Sequence, residues 1–160
     1  MGIPWQGLVH DLSKYSPKEF SIYKYYGGTR SPHEVARQEL GYSPSWMYHK
    51  NRNKHHWEFW LDNQDGADFK AVKMPYKYVI EMFCDFVGAG KAYNPGKWDV
   101  HKPYEYWKTR CEGKRLMHPA SQWLLLQLLT NMDGSVSEKA FYIWYKKNKK
   151  YLKKLYENRV

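Results

Sequence analysis

His10-Asp11 followed by Lys14, then His49, then His55-His56 and finally Asp85 are the residues of this chain whose types and spacing could do chemistry. Imidazole nitrogens and carboxylate oxygens suit Mn, Fe, Zn or Ni, and a carboxylate has two oxygens with which to bridge two ions. A divalent metal, one ion or two, is the cofactor this set implies. Lys14 stands three residues after Asp11, one helical turn away, where a compact ammonium can meet a phosphate. Asp85 lies between Cys84 and Phe86 in an apolar stretch. Burying a carboxylate there is costly unless a cation or several donors compensate it. A metal would do so, and the rival is a core hydrogen-bond network without one. Arg52 and Lys54, beside the histidines, are the candidates for lining a phosphate pocket.

Helices must carry these groups. Ser16-Pro17-Lys18-Glu19, Ser31-Pro32-His33-Glu34 and Ser135-Val136-Ser137-Glu138 read as capping boxes. Ser43-Pro44, Met74-Pro75, Lys102-Pro103 and His118-Pro119 place proline at further helix starts. The pattern predicts helices near 4–14, 17–26, 32–40, 44–61, 75–88, 103–112, 119–132 and 136–158, with loops over 62–73 and 91–102 and no convincing strand. The fold class is all-α, about seven to eight helices in one domain over 1–160. A helix over 4–14 gives the doublet an apolar face of Trp5, Leu8, Val9 and Leu12, at the edge of buried surface. A helix over 44–61 puts His49, Asn53, His56 and Trp60 on one stripe. His55 then points about 100° away, as a second-face ligand or a surface residue. The helix near 75–88 stops at Gly88-Ala89-Gly90, and the run Trp123 to Leu129 is central core.

Twenty-six Lys and Arg against 16 Asp and Glu leave a net charge of +10, which attracts anions. Lys146, Lys147, Lys149, Lys150, Lys153 and Lys154 crowd the final segment, whose other face carries Phe141, Trp144, Tyr145, Tyr151, Leu152 and Leu155. Core packing with a solvated basic face explains it, and binding to nucleic acid or an anionic membrane is the alternative. No apolar run approaches the ~20 residues of a membrane span. The first residues lack the regions of a signal peptide, so the expected location is cytoplasmic. Cys84 and Cys111 have no CxxC partner and read as reduced thiols. His33 reads as surface, His118 as a cap or loop residue and Glu58 as a surface glutamate, while His101 is unassigned.

His10-Asp11-Leu12-Ser13-Lys14 resembles the HD-x-x-K signature of the HD-domain metal-dependent phosphohydrolases. The order of doublet, single His, His-His pair and late Asp is similar to the HD-GYP branch, which hydrolyses cyclic dinucleotides. The runs Gly2 to Lys14, His49 to Trp60 and Glu81 to Asp85 resemble more closely an uncharacterised bacterial and phage family. The HD resemblance implies a helical domain hydrolysing a nucleotide or other small phosphate ester. Asp11 would bridge, His10 and Asp85 would complete one site, and His49, His55 and His56 would hold a second metal. Asp11 and Lys14 would be the catalytic pair. The chain departs from the pattern in lacking a histidine upstream of the doublet. Either the chain starts late relative to its relatives, or His33 substitutes, or one site is incomplete, which would leave a nucleotide binder. A missing upstream helix would expose apolar surface able to drive dimerisation.

Overall fold

Proline and serine set where the helices begin. Proline opens α1 (Pro4–Val9), α2 (Pro17–Phe20), α3 (Pro32–Leu40) and α4 (Pro44–Lys50), where its fixed φ suits the first turn and its missing N–H leaves no donor stranded. Ser16 and Ser43 accept from the backbone N–H groups of Glu19 and Trp46, both at 3.4 Å. The computed structural model describes residues 1–26, 31–63 and 68–160. Among these the chain forms eight α-helices and one hairpin of two-residue strands, β1 (Leu61–Asp62) and β2 (Lys70–Ala71), paired antiparallel. The fold is all-α in substance.

The fully buried apolar core lies almost wholly in the chain from Met74 onward, with Met1, Ile3, Trp57 and Trp60 packed against it. Helices α5 (Tyr76–Tyr93), α6 (Lys102–Tyr106), α7 (Pro119–Asp133) and α8 (Glu138–Glu157) enclose Phe83, Trp107, Leu124, Leu128, Phe141 and Tyr156. Each such side chain contributes about 1.5–3 kcal/mol by leaving water. The Ser121 hydroxyl accepts from Met74 N–H at 2.9 Å, fixing the entry to α5 against α7. Before Met74, Ala36 is the one fully buried apolar residue among those described, whereas Asp11, Glu19, Ser43, Ser45, His49 and His55 are all buried. The N-terminal half is built around a polar centre.

Several expectations are corrected. The helix over 4–14 ends at Val9: His10 turns to ψ 127°, and Asp11 takes a left-handed φ of 56°, before a tight 3-10 turn over Leu12–Tyr15. Trp5 and Leu8 are consequently 72% and 70% exposed, not buried beside the doublet. The helix over 44–61 ends at Lys50, because Asn51 and Asn53 compete for the backbone. The Asn53 amide donates to the His49 carbonyl at 3.0 Å, and the His49–Asn53–His56–Trp60 stripe does not exist. Helix α5 runs through Gly88-Ala89-Gly90 to Tyr93, since Gly90 is the gap against which Trp98 packs. Ser137, not Ser135, caps α8, and Tyr151 is exposed. Of the 62–73 loop, residues 64–67 lie outside the described residues, and the rest includes the hairpin.

Candidate metal centre

Three breaks in regular structure converge on one point. The turn at His10-Asp11, the C-terminal turn of α4 and the non-helical segment Asn51–His56 face the middle of α5. Asp11 is the hub. Its Oδ1 lies 3.3 Å from His49 Nε2 and 3.4 Å from His55 Nε2. Its Oδ2 lies 3.2 Å from His10 Nε2 and 2.5 Å from Lys14 Nζ. His10 Nε2 is also 3.3 Å from Asp85 Oδ1 on α5. The spacings around Oδ1 are long for hydrogen bonds. They match the separation of about 3.0–3.4 Å between ligand atoms that share a cation through bonds of about 2.1 Å.

The hub is under strain and short of partners. Asp11 is the one non-glycine residue with positive φ among those described, a conformation aspartate tolerates better than most. Buried Asp11 Oδ1, His55 Nε2 and His56 Nε2 find no hydrogen bond in the protein. Polar atoms at that depth are nearly always satisfied, so three orphans in one group call for a cation. Ligand atoms of Asp11, His49, His55 and His56 all lie within 4.8 Å of one another, as do those of His10, Asp11 and Asp85, and of His10, His55 and Glu81. This His/Asp cluster could hold a metal ion.

Electrostatics sorts its members. Burial pushes the Asp11 carboxyl up, but hydrogen bonds from His10 and Lys14 overcome that and hold it well below the carboxylate range. His10 is raised to about 11 by its hydrogen bonds to Asp11, Asp85 and Glu81, so it is an imidazolium when no metal competes. Burial, then the neighbouring His55 and His49 rings, pushes His56 down to about 3. Its ring is therefore neutral, with a lone pair free to bind. Trp46 walls this side, its ring 5.7 Å from that of His49 and 5.0 Å from that of His56.

Two glutamates complete the arrangement. Glu19 Oε2 lies 2.6 Å from His49 Nδ1. Glu81 Oε1 lies 3.4 Å from His10 Nδ1 and 3.3 Å from His55 Nδ1, and Glu81 Oε2 accepts from the Gln6 amide at 2.5 Å. Carboxylates behind imidazoles fix which ring nitrogen faces a metal. Sequence reasoning passed over both. Glu19 was legible only as half of a capping box, whereas Glu81 stands four residues before Asp85 on one helix face, a signal that was available.

The structure thus brings together His10, Asp11, Lys14, His49, His55, His56 and Asp85, with His55 fully inside instead of off to one side. Asp85 is half-buried at the rim. Arg52 and Lys54 turn to aromatic rings: Arg52 reaches the Tyr48 hydroxyl, and Lys54 lies 5.8 Å from the Phe59 ring centre. His33 is half-buried, 3.0 Å from the Ser43 hydroxyl, and belongs to none of the three ligand groups. His118 caps α7, and exposed His101 pairs with Asp133. Glu58 is not a plain surface residue, as its Oε2 is buried.

A family model described as a family of unknown function, DUF5662, matches residues 1–131. The chain belongs to the DUF5662 family. The span that defines DUF5662 here contains every residue of the cluster and ends before α8. No curated protein and no solved structure matches this DUF5662 chain. No helix among the described residues is long and apolar enough to cross a membrane.

Proposed function

We propose that this protein is an HD-type metal-dependent phosphohydrolase acting on a nucleotide or other small phosphate ester. The observation that carries the reading is Asp11: a buried, strained carboxylate with its two oxygens directed to two different ligand groups, and with Oδ1, His55 Nε2 and His56 Nε2 unpaired. His49, His55 and His56 would hold one ion with Asp11, and His10 and Asp85 a second across the same carboxylate. Zn, Fe, Mn and Ni all accept this donor set.

A bound divalent cation lowers the pKa of a coordinated water toward neutrality and offsets charge on phosphate oxygens. The remaining roles belong to the protein. Lys14, half-exposed and paired with Asp11 Oδ2, sits at the mouth, where its ammonium can draw in a phosphate. A cavity of about 340 Å³ reaches His10, Glu81 and Asp85 between Ile3 and Gly7, offering room beside the cluster for the leaving group. Glu19 and Glu81 hold the imidazoles in register. The seven lysines of α8, all exposed, add to the positive field that gathers anions.

The test is elemental analysis of protein purified without chelator, beside Asp11→Asn, followed by hydrolysis of bis(p-nitrophenyl) phosphate and a nucleotide panel. One or two equivalents of metal, lost in Asp11→Asn together with hydrolysis, is the expected result. Failure to retain metal under any loading with Mn, Fe, Zn or Ni would overturn the reading. Bound metal with no turnover of any ester would reduce it to a metal-binding domain.

A further inference from the structure

An unusual run of exposed rings leads away from the cluster. Phe20 and Tyr23 pack with centroids 4.5 Å apart, and Tyr23 and Tyr26 stack at 5.7 Å. The three are 53%, 52% and 73% exposed. Phe20 ends α2, Tyr23 lies in the 3-10 turn over Ser21–Tyr25 that continues it, and Tyr26 follows that turn in extended backbone. The step from ladder to cluster is one residue: Glu19 turns inward to His49, and Phe20 turns outward to begin the stack.

Cations lie over two neighbouring rings outside the ladder, Tyr48 and Tyr25. Lys18 Nζ lies 5.1 Å from the Tyr48 ring centre and the Arg52 guanidinium 4.9 Å from the same ring, so two positive charges share one aromatic support beside α2. Lys24 Nζ lies 4.6 Å from the Tyr25 ring centre. Residues 12–26 and 44–56 contain Lys14, Lys18, Lys24, Lys50, Arg52 and Lys54, and their one acid, Glu19, is committed to His49. Glu39 of α3 is the acid that acts on Lys24 from outside these segments.

From this we infer that the Phe20–Tyr23–Tyr26 ladder is a stacking platform for single-stranded nucleic acid, with Lys18, Lys24 and Arg52 taking the backbone phosphates. Stacked rings beside lysines suit this partner: bases cover the rings while phosphates meet the charges. A duplex hides its base faces, so it would engage the cations alone. The arrangement extends the proposed phosphoester reading by naming a polymeric substrate, led along α2 toward the cluster. No ladder ring belongs to the ligand groups of the cluster, so binding and hydrolysis are separate readouts.

The experiment is fluorescence anisotropy, read at the start of mixing, with labelled 15-mers of thymidylate and of uridylate, and a duplex control, on full-length protein purified without chelator, over a salt series. Phe20→Ala, Tyr23→Ala and Tyr26→Ala should each weaken single-strand binding by about five-fold or more, the usual effect of removing one stacked ring. Phe20→Tyr should retain it, which separates loss of a ring from loss of fold. Lys18→Gln with Lys24→Gln should flatten the salt dependence. Binding untouched by the ring variants overturns the platform, as does equal affinity for duplex. So does binding lost only on replacing Lys149, Lys150, Lys153 and Lys154. Because binding is read by anisotropy and turnover by product analysis, a platform that binds alongside a cluster that hydrolyses nothing, or the reverse, tells which proposal has failed.

Discussion

At the scale of single residues the centre depends on groups that do not touch a metal. Glu81 accepts from His10 and His55 at once, and Glu19 from His49, so three rings are oriented by two carboxylates. Replacing either glutamate by glutamine removes the charge but keeps the shape. Loss of such outer partners typically weakens metal affinity about 10–100-fold. Glu81→Gln should show the larger loss, because it frees two rings, and competition with a chromophoric chelator measures it; equal affinities would remove both glutamates from the site. His33 gives a prediction about protons. Burial, with help from Arg37, pushes its ring down to about 4. A histidine depressed in the folded state stays neutral there while the unfolded chain takes up a proton from its ordinary value of about 6.5. Stability is thus unaffected above that value and falls as pH drops from about 6.5 toward 4. His33→Gln should shrink the loss of urea midpoint between pH 7 and pH 5, and an unchanged loss would show that other groups carry it.

At the scale of elements, Gly88-Ala89-Gly90 separates what a sequence can say from what it cannot. Two glycines in three residues signal a helix stop, yet α5 continues, because a Cβ at Gly90 would lie 2.6 Å from Trp98 Cζ3 while one at Gly88 meets nothing within 4 Å. Gly90→Ala must push a packed indole aside and should cost about 1–3 kcal/mol, as overpacking does. Gly88→Ala should gain about 0.4–1 kcal/mol by stiffening the unfolded chain. Urea unfolding of the two variants checks the pair, and like signs would refute the packing account. Helix α7 was legible almost to the residue because proline opens it, His118 caps it and its leucines are contiguous. The end of α4 was not, since a histidine stripe at helical spacing competes with the breaking tendency of Asn51 and Asn53. The ligand types could be read from the doublet and the later histidines. Their geometry could not, because it is made by turns whose shape depends on contacts distant in sequence.

At the scale of the whole molecule, the two halves are stabilised by different physics. The bundle of α5 to α8 buries leucines and aromatics, and a core of that kind stands without help. The N-terminal half buries Asp11, Glu19, His49 and His55 around one point and leaves Trp5, Leu8 and Leu12 in solvent, so little hydrophobic driving force holds it. Buried Asp11 Oδ1, His55 Nε2 and His56 Nε2 go unsatisfied unless a cation joins them, and metal binding at such a centre becomes folding free energy. Chelation should therefore loosen residues 1–60 selectively: amide protection in α2 and α4 should collapse while that of α7 persists. Reloading with metal at a hundredfold over its Kd should return about 2.7 kcal/mol to the N-terminal half. Hydrogen exchange with and without chelator reads both halves in one experiment. Equal protection of α2 and α4 in the two states would mean that the polar network is self-sufficient, with the metal a passenger. Selective loss would make the cluster the core of the half that carries it.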